Sequence, residues 1–367
     1  MLVDMVLRAF VLFAGLSTIA AGCAASDAPP RSAPSPMSSP PAPSTTASID
    51  SGLAPATDSS AAAPADAAPA DPFAGTRFPP EDFAPPHERS AKKGDGKWVR
   101  LGSAASNERA AQEPPVLYRT TVQPHTFSKY VTVTVAAMDL KHMSLHLVAG
   151  TDDPGVDELP ASHPPGLVPQ QDQDELVAVF NGGFKPQHGG WGMMVDGKVL
   201  VPPREEGCTI MINADDTVEI RSWPALAAKK DEAKAYRQTP PCLLENGEVH
   251  PDLVAGNARV WAGRGGDRKT RRRSALGVDA SGRVLFFGMG VEADPKLLAE
   301  AMKHAGAVHA AQLDINYNWT RFLLFGTAEG ELQVTSTLIP QMVHRKRGYV
   351  HHTQPRDFFF VMRREVR

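Results

Sequence analysis

The chain has 367 residues, 42% of them hydrophobic and 22% charged, with 38 Lys+Arg against 41 Asp+Glu. That length supports one or two globular domains with a real core. The net charge of −3 excludes a wholesale nucleic-acid binder, and the patterning excludes a membrane-spanning bundle, a coiled coil or a disulfide-dense scaffold.

Residues 1–23 read as an export signal. The apolar run from Phe10 to Leu16 is too short to span a bilayer but suits a secretory leader. Ile19-Ala-Ala-Gly-Cys23 resembles a bacterial lipobox, which makes Cys23 the expected lipidation site. The expectation is an exported protein, periplasmic or held at the outer membrane by its lipid, with plain secretion as the alternative. Fifteen of the 33 prolines fall between Pro29 and Pro86, and no aromatic residue occurs between Phe13 and Phe73. A stretch so poor in apolar surface cannot offset its ordering entropy, so residues 24–90 are expected to be a disordered Ala/Pro/Ser-rich tether. Residues 91–129 follow as a less regular lead-in, and 130–367 as the folded domain.

From Val131 to Val135 apolar residues alternate with threonine, which predicts a half-buried strand. Leu176–Phe180 is a continuous apolar run, suited to a strand covered on both faces. Asp196-Gly197 and Asn246-Gly247 sit between pairs of strand-like runs, and Asp215-Asp216 between another. Asp-Gly and Asn-Gly supply the positive φ angles of tight hairpins. One helix is plain: Asp294 caps it, Pro295 fits its first turn, Gly306 ends it, and Leu297, Leu298, Ala301, Met302 and Ala305 form an apolar stripe. With Val284–Met289 before it and Ala307–Leu313 after it, the segment reads as a crossover unit with Asp314 just past its second strand. The expected class is α+β, a mixed, hairpin-rich sheet with a few packed helices.

Three segments together resemble the phosphodiester glycosidase domain family: Val177-Ala-Val-Phe-Asn-Gly-Gly-Phe184, Arg273-Ser-Ala-Leu-Gly-Val-Asp279, and the run from Asp294 through Asp314. Their order and spacing agree over roughly residues 130–363. Where the family often follows Leu-Asp with a glycine run, this chain reads Leu313-Asp-Ile-Asn-Tyr-Asn-Trp319. The resemblance implies hydrolysis of the bond between a sugar and a phosphate in a phosphodiester. The substrates it implies are phosphate-bearing surface glycans or glycolipids.

Such a leaving group is a weak base, so balancing its charge matters more than protonating it. The site then needs an arginine for phosphate, a carboxylate near the anomeric carbon and polar groups for the hydroxyls. Asp314 is the expected catalytic carboxylate, as nucleophile or as base toward water. Glu245 is the candidate general acid. Arg273 matches the family arginine and Arg204 is a further phosphate candidate. Asn181, Gly182 and Gly183, with His188 in the following loop, are expected to approach substrate, while Asn316 and Trp319 offer an amide and a flat face to a sugar. Cys208 and Cys242 are free to pair in an oxidising compartment, and the sequence leaves open whether they meet. His351-His352 lacks zinc-ligand spacing and no Cys-x-x-Cys occurs, so no metal or cofactor is expected. The alternative reading is a non-catalytic envelope lipoprotein that binds anionic glycans.

Overall fold

The computed structural model describes residues 73–102, 114–262 and 271–364. The leader, Cys23 and the tether up to residue 72 lie outside the described residues. Within them, eighteen strands form three sheets. The first runs β1 (Val99–Arg100), β2 (Leu117–Val122), β3 (Thr132–Asp139), β14 (Val284–Ala293), β13 (Arg271–Val278), β15 (His309–Gln312), β11 (Leu244–Glu245), β12 (Glu248–Val249). The second runs β7 (Lys198–Val201), β6 (Met193–Val195), β10 (Ala233–Thr239), β8 (Cys208–Asn213), β9 (Val218–Ser222). The third runs β17 (Glu331–Thr337), β16 (Phe322–Ala328), β5 (Leu176–Asn181), β18 (Phe358–Arg363), β4 (Met143–Val148). The class is the α+β, hairpin-rich one with few helices.

The turn dipeptides act as their chemistry requires. Asp196 (φ 50) and Gly197 (φ 74) close β6 onto β7, and Asn246 (φ 53) and Gly247 (φ 78) close β11 onto β12. The helix Pro295–His304 starts where Asp294 accepts the Leu297 N–H at 2.8 Å, and it lays Leu298, Ala301 and Met302 against the first sheet. It links β14 to β15, which both pair with β13 from opposite sides. The crossover therefore spans one intervening strand and delivers Asp314 beyond the end of β15.

Two expectations are corrected. β3 is buried on both faces, because Val133, Val135 and Ala137 pack toward the helix while Ala136 and Met138 pack into the core shared with the other sheets. The expected disorder does not extend to residue 90. Aromatic residues return at Phe73, which is buried in the main core, and Phe78, Phe83 and Trp98 pack beside the helix. Asp95 is buried and accepts from Thr121 Oγ1 at 2.7 Å. The lead-in likewise belongs to the fold, since it supplies β1 and β2. Cys208 and Cys242, 34 residues apart, form a disulfide that joins the second sheet to the segment entering β11. Among the described residues no helix is long and apolar enough to cross a membrane.

Candidate active site

Asp314, Asn181 and Asp357 converge where the sheets meet. Asp314 follows β15 of the first sheet, Asn181 ends β5, and Asp357 precedes β18 of the third. Arg237, on β10 of the second sheet, reaches in from the side. With Gly182, Gly183, Trp319, Tyr349 and Arg356, the three converging residues line one cleft.

Asp314 is buried at its end of the strand. Its Oδ1 accepts the Ile315 N–H at 2.7 Å, and its Oδ2 lies 2.6 Å from Arg356 Nη1 and 3.1 Å from Asn316 Nδ2. Burial raises its pKa above the ordinary carboxylate value, against the opposing pull of Arg356. Arg356 also donates from Nη2 to Gly183 O at 3.1 Å and lies 5.5 Å from the Trp319 ring centre. Arg321 stacks on the same ring at 5.3 Å. Trp319 thus carries two guanidinium groups at the mouth of the cleft. With Arg356 in this place the cleft has only about 10 Å³ of room, roughly one water.

Beneath it lies a buried ion pair. Arg237 Nε is 2.8 Å from Asp357 Oδ2, and both side chains are 1% exposed. Arg237 also donates to Trp191 O at 3.1 Å, to Gln238 O at 2.9 Å and to Phe184 O. Burial alone would raise the pKa of Asp357, but Arg237 and the Gly183 N–H, which donates to Oδ2 at 2.7 Å, hold it below the ordinary range. The glycine pair exists to admit this ion pair. A Cβ on Gly182 would lie 2.0 Å from Asp357 Oδ2, and one on Gly183 2.9 Å from Arg237 Cζ. Nearby, Asp153 accepts the Gly150 N–H at 2.7 Å, and burial together with the charge of Asp357 pushes it up to about 7.

The expected site residues divide into three groups. Asp314, Asn181, Gly182, Gly183 and Trp319 line the cleft, and Asn316 braces it. The Asn181 amide is spent on the scaffold, however: Nδ2 donates to Ser274 Oγ at 2.9 Å and Gly182 O at 3.1 Å, and Oδ1 accepts the Arg321 N–H at 3.0 Å. Asn316 similarly closes its own loop by accepting the Trp319 N–H at 2.7 Å. Both amides position the carboxylate and the tryptophan rather than reaching outward.

His188 and Arg204 sit on exposed loops and do not line the cleft. Arg204 donates to Gly189 O at 2.9 Å, pairs with Glu206 and covers Trp191. Trp191 packs with Phe184 and Ile315, directly after Asp314.

Arg273 and Glu245 lie elsewhere. On a strand, neighbours face opposite ways. Ser274 donates to Asp314 O at 3.1 Å, so Arg273 points to the other face of β13, toward Trp261 and Ala293. It is fully buried, donates to Ala293 O at 3.1 Å, Trp261 O at 2.9 Å and Gln312 Oε1 at 3.1 Å, and burial pushes its pKa down to about 10. It braces the first sheet and cannot meet a phosphate in this cleft. Glu245 accepts from Ser222 N and Oγ at 3.0 Å each and pairs with Arg221 at 3.3 Å. Burial opposes ionisation, but these donors hold its pKa below the ordinary value, and it does not line the cleft. Sequence reasoning missed Arg237, Arg356 and Asp357. Their signal is a charged residue inside or directly before a buried strand, at Arg237 in β10 and at Arg356-Asp357 ahead of Phe358–Phe360.

Residues 174–314 match the family model described as phosphodiester glycosidase. This segment of the chain is similar to that family. That stretch begins just before β5 and ends on Asp314, so it contains one of the cleft's two carboxylates and its Asn-Gly-Gly turn. Among solved structures, the catalytic domain of zebrafish N-acetylglucosamine-1-phosphodiester alpha-N-acetylglucosaminidase, auto-inhibited by its pro-peptide, is similar at 12% identity and a TM-score of 0.40, with 75% of this chain and 96% of that chain covered. A hypothetical protein from Synechocystis is similar at 12% identity and a TM-score of 0.37, with 69% and 65% covered. No curated protein matches the chain.

Proposed function

We propose that the protein hydrolyses the bond between an anomeric carbon and phosphate in a glycosyl phosphodiester of surface glycans or glycolipids. The observation that carries this reading is the contact of Arg356 with Asp314, the last residue of the family-matched segment: one guanidinium neutralises the carboxylate at rest and is placed to meet a phosphate instead. When the phosphate takes Arg356, the cleft opens, Trp319 offers its face to the sugar and Asp314 Oδ2 loses its cation. Asp314, already raised in pKa by burial, takes a proton from the water that attacks the anomeric carbon. The carbon–oxygen bond breaks, its electron pair stays with phosphate, and a free sugar and a phosphomonoester leave. The only other carboxylate lining the cleft, Asp357, is locked to Arg237. A phosphate leaving group needs no general acid, which fits that arrangement.

Export with a lipid anchor at Cys23 is part of the proposal, supported by the leader and by a disulfide suited to an oxidising compartment. The purified full-length chain should release reducing sugar from α-linked sugar 1-phosphodiesters and leave the matching alkyl glycosides intact. Hydrolysis of both sets at similar rates would refute the role given to Arg356. The rival reading, a glycan-binding lipoprotein, is favoured by the loop at Ile315–Trp319 in place of a glycine run. It would give saturable binding of the same compounds without turnover.

A further inference from the structure

A second cavity, of about 260 Å³, shares no lining residue with the cleft. Its floor is the edge of the third sheet, where the ring of His146 on β4 stacks on Phe360 of β18 at 4.7 Å. Ile212 and Ala235 of the second sheet form a wall, and the loop carrying Pro164, Leu167 and Pro169 forms the roof. Apolar side chains make up most of this surface, and the prolines stiffen the roof.

The polar groups around the cavity are already partnered, with one exception. His146 contacts Ser144 Oγ at 2.8 Å, and burial pushes it down to about 4, so it is neutral near pH 7. His163 pairs with Asp196 at 3.3 Å, Lys234 pairs with Asp216, and Gln171 donates to Ser162 O at 3.4 Å. Asp172 lines the cavity with no ion pair or hydrogen bond to its carboxylate among the described residues. Burial raises its pKa against the longer-range pull of His163 and Lys234, neither of which contacts it directly.

We propose that this cavity binds a small monoamine with a ring-sized apolar body, its ammonium on Asp172 and its body against Phe360, Ile212 and Leu167. The size follows from volume, since a dry cavity of roughly 150 Å³ holds benzene and this one has room for a ring with a short arm. The charge follows from Asp172: His163 and Lys234 are committed to Asp196 and Asp216, so an ammonium would be the first cation in direct contact with this carboxylate, whereas a carboxylate ligand would meet it as a like charge.

The test is calorimetric titration of the full-length chain with 2-phenylethylamine, and with 3-phenylpropionate as a probe of matched size and opposite charge. The amine should bind saturably at one site, with a dissociation constant on the order of millimolar for so few atoms, and the acid should not bind. Asp172→Asn should weaken the amine at least about tenfold through loss of a charge-assisted contact. Ala235→Leu, which fills the cavity, should abolish binding. Asp314→Asn should leave it unchanged, which separates this site from the cleft whether or not the cleft is catalytic. Equal binding of amine and acid, no saturable binding, indifference to Asp172→Asn, or loss in Asp314→Asn would each overturn the proposal.

Discussion

Asp314→Asn is expected to lower kcat/KM for a sugar 1-phosphodiester by roughly 10²–10⁴, the usual contribution of a positioned base. The fold should survive. Asparagine keeps an oxygen for the Ile315 N–H, which Asp314 accepts at 2.7 Å, and Arg356 keeps Gly183 O at 3.1 Å and the Trp319 ring when its carboxylate partner is gone. The pH profile adds a second reading. Asp314 must be ionised to act, and burial raises its pKa above 3.8, so activity should fall as pH drops through that raised value. The residual activity of the variant should lack that limb. A variant with near-wild-type kcat/KM would remove Asp314 from the mechanism.

Arg237→Met is expected to cost about 3–5 kcal/mol of folding stability, since breaking a buried pair by removing one partner leaves an uncompensated charge. Asp357 would keep the Gly183 N–H at 2.7 Å but lose the guanidinium at 2.8 Å in a place that water does not reach. In the native protein the folded pKa of Asp357 lies below its unfolded value. Its contribution to stability is therefore complete above the ordinary value near 3.8 and is lost as pH falls through the lower folded value. In Arg237→Met the sign reverses: burial raises the folded pKa, and mild acid should restore part of the loss. Adding Asp357→Asn to the variant should do the same at neutral pH by removing the stranded charge. Chemical denaturation of the three proteins at two pH values measures this, and a loss below about 1 kcal/mol would show that the pair is not the clamp described.

How far the fold could be read ahead depended on how local its causes are. Asp196-Gly197 and Asn246-Gly247 set their own backbone angles, and Asp294 caps the helix three residues away. The disordered reading failed from Phe73 because that aromatic residue and the two phenylalanines after it bring apolar surface to bury. Asp314 was legible because a strand leads straight to it. Arg237 and Asp357 were not, since 120 residues separate them and no spacing connects a charge in one buried strand to a charge before another. Arg273 shows the remaining difficulty. Alternation along β13 tells which residues share a face, but not which face meets the cleft. Only the contact of Ser274 with Asp314 decides that Arg273 looks away.

The measurement that bears most directly on the central claim asks which bond breaks. Hydrolysis of a sugar 1-phosphodiester in heavy-oxygen water, with mass analysis of both products, locates the attacked atom. Attack at the anomeric carbon, as placed here between Asp314, Arg356 and Trp319, puts the label in the released sugar and none in the phosphomonoester. Label in the phosphate would mean attack at phosphorus, and would contradict the account.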